Sequence, residues 1–546
     1  MAHQNVVAAR ESLARVARME SVPSVELTRF TEGVLARIDQ SYDPVHAGFG
    51  QQPKFPHPTA VRLYLWRAHH AGDERAGARG RETLRRMAEG GLYDQVGGGF
   101  HRYSVDDGWH VPHFEKMAQD NAALLVGYVE GAQRFGDPIF EETIRGTVAW
   151  SLEVLSDPAG GFAASQDADN APGDDGSYFT WSRSELKAAL DPDELRLITR
   201  YFGIGTDGRM PHDPDRNVLY RLLPIDEVAV ALQVPPEHAR ALRDRAIAKL
   251  RAARGRRNAP VVDRALYASL NGGYLQALAL AARFLPDPIP LAAARAAADR
   301  FLDRAYAPDR GVAHRLEGSH GRGFGLLEDQ VAFGLGLAEL AAATQVPRYL
   351  EAAQALADLA AREFRAENGL LQDIAPRLYD GAVIGTVGEP SFPLEDHPHL
   401  SANATYVLLQ LRLAALTGDD ARREVAKAAV GAMAPRIASA GIFAGGAALA
   451  AAWLEEPPAR VVVEGDGPTA ESLWRAAERT YHPRLDRFRG VPAPPFALPE
   501  ELTAAGGRRE GPDRALVCFG TRCLAPIIDP DELRRVLAAP VAPGAR

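Results

Sequence analysis

The chain has 546 residues, 46% hydrophobic and 24% charged, the balance of an ordinary soluble globular protein long enough for more than one domain. Its 62 lysines and arginines against 71 aspartates and glutamates leave a formal net charge of −9. The densest basic run, Arg251 to Arg257, flanks a helix end, so nucleic acid is not an expected partner. No stretch reaches the length of a membrane span: Gly441 to Trp453 is too short and too weakly apolar. No signal-like apolar run opens the chain, and cytoplasm is the default location. Cys518 and Cys523 form a C-x4-C pair without a neighbouring His or further Cys, which reads as two thiols rather than a zinc or redox site.

Apolar residues at three- and four-residue spacing, punctuated by Asp, Pro or Gly, predict helices over 24–40, 59–71, 74–88, 115–134, 138–155, 263–284, 291–305, 328–343, 347–364, 401–416, 419–439 and 442–453. The connections alternate. They are short after 71, 134, 284, 343 and 416, and long after 40, 88, 155, 305 and 364, with 439–442 short where a long one is due. Short connections join antiparallel neighbours, and the alternation puts the long loops at one end. The helices then pair as outer and inner partners and close into a mainly α (α/α)6 toroid, the inner ones beginning at Thr59, Glu115, Asp263, Glu328, Ser401 and Ile442. An open superhelix of helical pairs is the structural rival.

The barrel domain spans 1–455. Within it 157–262 is too long for a loop and reads as an insertion forming part of the barrel mouth. It runs from SQDADN (165–170) through Tyr178-Phe179-Thr180-Trp181 to a capping box at Ser182 and Glu185. From 456 to 546 the pattern changes to strand 459–464, helix 468–480, strand 515–519 and helix 529–538, a small α/β unit. Its Gly465-Asp466-Gly467 turn lacks the spacing of a dinucleotide or phosphate loop, so no nucleotide and no other cofactor is expected.

The stretch from Gly90 to Tyr128 carries the densest chemistry: glycines, then His101, Arg102, Tyr103, Asp106, Asp107, Trp109, His110 and His113. A helix entered at Pro112 places His113, Met117, Asp120 and Leu124 on one stripe. A His and an Asp on a core-facing stripe are costly unless they meet a wet cavity or a ligand. With the long loops on one rim, inner-helix N-termini bring His113, Asp120 and Asn121 together with Asp263, Asn271, Glu328, Asp329, Ser401 and Asn403. Asp167 and Asp169 join them from the insertion. Positive helix ends beside carboxylates and amides suit a polyhydroxylated ligand.

The candidate catalytic residues are therefore His101, His110, His113, Asp120, Asp167 and Asp169. The candidate substrate-binding residues are His57, Tyr103, Trp109, Asn121, Trp181, Asp263, Asn271, Asp329 and Asn403, with Tyr103, Trp109 and Trp181 as stacking platforms. For Asp263, Asp329 or Ser401 alone, an N-cap is the commoner role. Asp120 and Asn121 lie too deep in the expected helix to be caps and favour a site. Each histidine has a loop-packing alternative, and Gly–aromatic segments such as Gly97–Phe100 and Gly160–Phe162 fit either a sugar-facing surface or a cover over the barrel end. Asp167 and Asp169 lack the later Gly and Glu of an EF-hand loop, and the inner helices show no Cys/His ligand set, so no metal is expected.

GFGQQPKFPHP, GGLYDQVGGGFHRYSVDDGWHVPHFEKMAQDNA, SQDADN followed by Tyr178–Trp181, and VCFGTRC with Pro526 together resemble the YyaL-type, thioredoxin-domain-containing proteins with spermatogenesis-associated relatives in animals. The resemblance covers nearly the whole chain. It implies a six-hairpin, glycosidase-like barrel similar to N-acylglucosamine 2-epimerases and unsaturated-glucuronyl hydrolases, and it implies no firmly assigned reaction. Family members usually begin with a thioredoxin-like domain bearing Cys-His-Trp-Cys, which this sequence lacks. The family's Asp-Asp-Lys and Ser-Trp-Asn appear as VVDRALYASLN, with Arg264 and Leu270 in place of Lys and Trp. Its Asp-Tyr-Ala reads Asp329-Gln330-Val331, and its Pro-Ser-Gly-Asn reads His399-Leu400-Ser401-Ala402-Asn403.

The leading expectation is a carbohydrate- or polyol-active isomerase or epimerase at the toroid mouth, with His101, His110 and His113 moving protons. One alternative is glycoside hydrolysis by Asp120 with Asp167 or Asp169. Another is a non-catalytic toroid that binds a separate thioredoxin-like partner.

Overall fold

Asp73, Asp137, Asp287 and Asp419 each accept a backbone N–H at a helix N-cap, and prolines occupy first turns where no N–H is needed. These signals punctuate the barrel helices of the computed structural model, which describes residues 26–540 except 172, 175, 206, 209, 382–390, 398, 499 and 506–512. The helices are α1 (Leu27–Ser41), α2 (Pro58–His70), α3 (Glu74–Glu89), α4 (Ala118–Phe135), α5 (Pro138–Trp150), α6 (Ala268–Phe284), α7 (Pro288–Arg304), α8 (Leu327–Thr344), α9 (Pro347–Glu363), α10 (Ala402–Thr417), α11 (Asp420–Ile437) and α12 (Gly445–Glu455). The expected start of the first helix at 24 and the outer ends of both domains lie outside the described residues.

The even-numbered helices form the inner ring. Each touches the next in the order α2, α4, α6, α8, α10, α12, and α12 returns to α2, so the ring closes and the open superhelix is excluded. The sixth pair joins the two ends of the barrel chain, α1 packing on α12. Inner helices have no solvated face: α8, α10 and α12 are buried almost all round, as a helix enclosed by an outer layer must be. Between α6 and α8 a Cβ at Gly272 or Gly336 would overlap the facing backbone, which is why glycines stand there.

Two inner helices begin later than expected. Lys116–Met117 pairs with Ser165–Gln166, which pairs in turn with Val262–Asp263, and Tyr103–Ser104 pairs with Pro112–His113. These ladders take the backbone groups that a helix from 115 or 263 would use. His113 therefore stands on a strand, off the Asp120 stripe, and Pro112 opens no helix.

The insertion has its own apolar cluster, including Trp181, Leu186, Leu197, Ile198, Leu242 and Leu250, and the expected capping box forms. Ion pairs Arg254–Asp94, Arg221–Glu142 and Arg251–Glu153 tie it to α5 and flanking segments. In the C-terminal unit, β1 (Ala459–Glu464), β2 (Leu485–Arg489), β3 (Arg514–Phe519) and β4 (Arg522–Cys523) lie in the order β2-β1-β3-β4, with β1 and β2 parallel. Strand β2 was not expected, because LDRFR reads as charged. Asp486 in it pairs with Arg412 of α10, while Arg487 donates to the carbonyls of Ala477 and Thr480. Asp486 thus serves the joint with the barrel, and Arg487 braces the C-terminal unit itself. Cys518 and Cys523 sit opposite one another on β3 and β4 and form a disulfide, correcting the expectation of two thiols. Among the described residues no helix is long and apolar enough to cross a membrane.

Candidate active site

The N-terminal ends of the inner helices surround a cavity in the bore. Its wall is apolar along Ala122, Val126, Leu270, Val331 and Leu335, with Gln119, Ser269, Glu328 and His399 as polar members. A second hollow shares Glu328, His399 and Leu400 and extends to His314, Asp329 and Asp373. No described residue of the insertion lines either hollow, although its Ser165–Gln166 pairs with Lys116–Met117 at the N-terminal end of α4.

Glu328 and His399 line both hollows, and Asp120, which lines neither, is near enough to feel the charge of His399. Asp120 is in the first turn of α4, 4% exposed, and its Oδ2 has no hydrogen-bond partner. Burial pushes its carboxyl up to about 7, against the lowering charges of His399 and Arg102 and with a small raising contribution from Glu115. His399 places Nε2 3.7 Å from Glu328 Oε1 and leaves a buried Nδ1 without a partner. Burial disfavours the imidazolium, but the Glu328 carboxylate, helped by Asp120 and Asp396, raises its pKa overall. Glu328, exposed at the rim, is in turn held below its ordinary range chiefly by His399. Beside them His314 Nδ1 lies 2.9 Å from Asp329 Oδ2, and Ser269 N–H donates to Asp329 Oδ1. Burial raises the Asp329 carboxyl in spite of that partner. Asp396 accepts from the N–H groups of Ser401 and Gly446, and burial lifts it to about 7.

Of the residues expected from sequence, Asp329 lines the second hollow, Asp120 is buried within reach of the charge of His399, and most of the others lie elsewhere. The amides share a different task. Asn121 on α4 accepts from Phe100 N–H and donates to the carbonyls of Phe100 and Met117. Asn271 on α6 does the same with Phe162 and Tyr267, Gln330 on α8 with Val312 and Leu326, and Asn403 on α10 with Leu371 and Pro393. Each clamp binds an inner helix to the long loop before it. Their amides are saturated by backbone and hold no ligand.

The aromatic platforms are also occupied. Trp109 is fully buried, its indole N–H on Ala47 O, and Trp181 is 1% exposed under the Arg257 guanidinium at 4.0 Å. Tyr103 stacks on His113 at 5.1 Å. His113 itself faces Glu115 at 3.8 Å, not the opposite side as a helix would have it. His101 is 2% exposed, bonds Phe114 O through Nδ1, and is lowered to about 3 by burial and Lys116. It cannot move protons near neutrality. His57 occupies the left-handed N-cap of α2 between Phe49, Phe55 and Phe443, and burial lowers it to about 4. His110 packs on Tyr220 and lies 3.8 Å from Asp106. Asp167 is exposed and accepts from Ala168 N–H, Asp169 is half-buried in the same loop, and exposed Asp263 accepts from Ala265 N–H.

No family model matches the chain. Mouse and human spermatogenesis-associated protein 20 are each 27% identical to it, across 92% of this chain and 68% of their own length. Among solved structures it is similar to a D-mannose isomerase (TM-score 0.45, 13% identity, 74% of this chain and 85% of that one). It is also similar to cellobiose 2-epimerase from Bacillus thermoamylovorans (TM-score 0.47, 8% identity, 74% and 85%).

Two groups of the site, Glu328 and His399, were seen in the sequence but given no role, and His314 was passed over. His399 stands at the first position of the segment that reads against the family's Pro-Ser-Gly-Asn. The available signal was a histidine shortly before an inner-helix N-cap, Ser401, opposite an acidic pair at 328–329.

Proposed function

We propose that the protein is an enzyme of carbohydrate or polyol type that moves a proton beside a carbonyl, interconverting an aldose and a ketose or two epimers, at the toroid mouth. The observation that carries this reading is an unpartnered, buried carboxyl at Asp120 poised near neutrality, close enough to feel the charge of His399. A base with a pKa near the working pH is the most effective at taking and returning a proton. The Asp120 carboxylate takes the proton from the carbon next to the carbonyl. His399, whose hold on its proton Glu328 strengthens, gives that proton to the carbonyl oxygen, leaving an enediol. Asp120 then returns its proton to the former carbonyl carbon while His399 takes the proton of the neighbouring hydroxyl, giving the isomer. For epimerisation the intermediate turns over, so that the proton reaches the other face of the original carbon while His399 recovers the proton it gave to the carbonyl oxygen. The apolar wall of Val126, Leu270 and Val331 suits the C–H face of a sugar.

The test is incubation with a panel of free aldoses and ketoses in D2O, followed by NMR at the carbon beside the carbonyl. Deuterium entering with the wild-type protein and not with Asp120→Asn is the expected result. No exchange across the panel rejects the reading.

One observation favours glycoside hydrolysis as the second reading: the environments push Asp120 up and Glu328 down, the division of labour of an acid and a base. Release of reducing sugar without exchange would select it. A non-catalytic toroid holding a thioredoxin-like partner has no supporting observation among the described residues. A cytoplasmic setting belongs to the proposal and is checked by cell fractionation.

A further inference from the structure

His69 in the last turn of α2, Glu456 directly after α12 and His482 in the turn before β2 bring one ligand atom each within 4.8 Å of the others. They are 1%, 0% and 5% exposed. Both ring nitrogens of His69, Oε1 of Glu456 and Nε2 of His482 are buried without any hydrogen-bond partner. Folded proteins rarely leave such atoms unsatisfied, and one from each of the three residues can be satisfied by a single shared partner. The His69 and His482 rings meet edge to face at 4.9 Å, so both face the same small space.

We propose that His69, His482 and Glu456 bind one divalent transition-metal ion, of which zinc is the best match to the ligand set. Two imidazoles and a carboxylate form a familiar zinc site, with water as the fourth ligand. The other Glu456 oxygen lies 2.6 Å from His70 Nδ1, a bond that fixes the carboxylate's orientation as outer partners of metal ligands do. Two features work against the ion. Arg134 and Arg484 bring positive charge, although Arg484 is engaged by the carbonyls of Trp453 and Glu456. The Arg484 N–H also bonds His482 Nδ1 at 3.1 Å, and the ion must displace this bond, either by taking Nδ1 or by taking Nε2 and moving the ring proton to Nδ1.

The site is separate from the mouth. At about 1.5 Å per residue, His69 lies about 16 Å along α2 from Pro58. It joins α2 and α12, the two helices that close the ring, to the segment entering the C-terminal sheet. The ion is a staple at the closed end of the barrel.

The experiment uses the full chain, purified without a metal-binding tag, dialysed against Zn2+ and then against buffer. Elemental analysis is expected to find one zinc per chain, and X-ray absorption of the wild-type protein two imidazoles with oxygen ligands. His69→Gln and His482→Gln should lose the zinc and its stabilisation, seen as a Tm no longer raised by Zn2+. Absence of bound zinc in folded wild-type protein overturns the proposal. So does a different ligand set, or full retention of zinc by the double variant. Should the variants fail to fold, the absorption spectrum of the wild type still decides.

Discussion

Two loops at the same rim carry histidines and carboxylates, and they use them in opposite ways. In the segment from Gly90 to Met117 nearly every polar group already has a partner within the protein. Lys116 is fully buried and bonds Asp94 Oδ2 and Gly98 O, Arg254 bonds the other Asp94 oxygen, and His101 and Trp109 are bonded to carbonyls. In the segment from Pro393 to Asn403, His399 retains a buried nitrogen without a hydrogen-bond partner, as does one oxygen of Asp120, and the two residues feel each other's charge. A crowd of reactive residue types in sequence therefore marks either a site or a heavily cross-linked loop. Unsatisfied atoms distinguish them, because catalysis needs groups with capacity left to bind and exchange protons.

The hardest test of that contrast is Asp120→Asn. It should lower turnover by at least about 100-fold, the ordinary contribution of a positioned general base. It should also stabilise the fold at alkaline pH. A carboxyl raised from 3.8 to about 7 binds more protons folded than unfolded between those values. Stability is then lost as pH climbs from about 4 to 7, and the full penalty, up to about 4 kcal/mol, applies above 7. The amide has no charge to bury, so the variant should melt higher than wild type at pH 8 and about the same at pH 4. Loss of stability at pH 8 would mean that the carboxylate is held by interactions the geometry does not reveal.

Glu328→Gln probes the other half of the pair. On the proposed mechanism activity rises as Asp120 ionises near pH 7 and falls as His399 loses its proton. Without the Glu328 carboxylate, burial dominates the imidazole and its pKa drops. The alkaline limb should move to lower pH and, as the His399 charge that lowers Asp120 is lost, the acidic limb to higher pH, with a loss of about tenfold at pH 8. A profile with both limbs unmoved would remove His399 from the proton path.

Much of the fold was legible because connection lengths report which helices are antiparallel neighbours, and six inner starts were placed within a few residues. Less of the site was legible. Asn121, Asn271 and Asn403 recur near inner-helix starts, which reads equally as ligand capture or as architecture. Only the matching bonds to Phe100, Phe162 and Leu371 show that the repetition is structural. Strand pairing at Lys116–Met117 was invisible because its partner, Ser165–Gln166, is remote in sequence. Asn271→Leu tests the clamp: it strands both Phe162 backbone groups in the core and should cost about 2–4 kcal/mol, read by denaturant melts. Turnover at low temperature should change little, as expected of a part that supports the loop without touching substrate.

The smallest expected effect is the most pointed check on the leading loop. His113 occupies the place in the sequence where a catalytic histidine is easiest to imagine, between Trp109 and Asp120. Its side chain is 39% exposed, stacked on Tyr103 and 3.8 Å from Glu115. An exposed pair of this kind is worth about 0–1 kcal/mol. His113→Ala should therefore shift Tm by no more than about a degree or two and leave kcat/KM within about threefold of wild type. A loss approaching that of Asp120→Asn would return the chemistry to the motif that the hydrogen bonds assign to architecture, and would require the loop to rearrange around substrate.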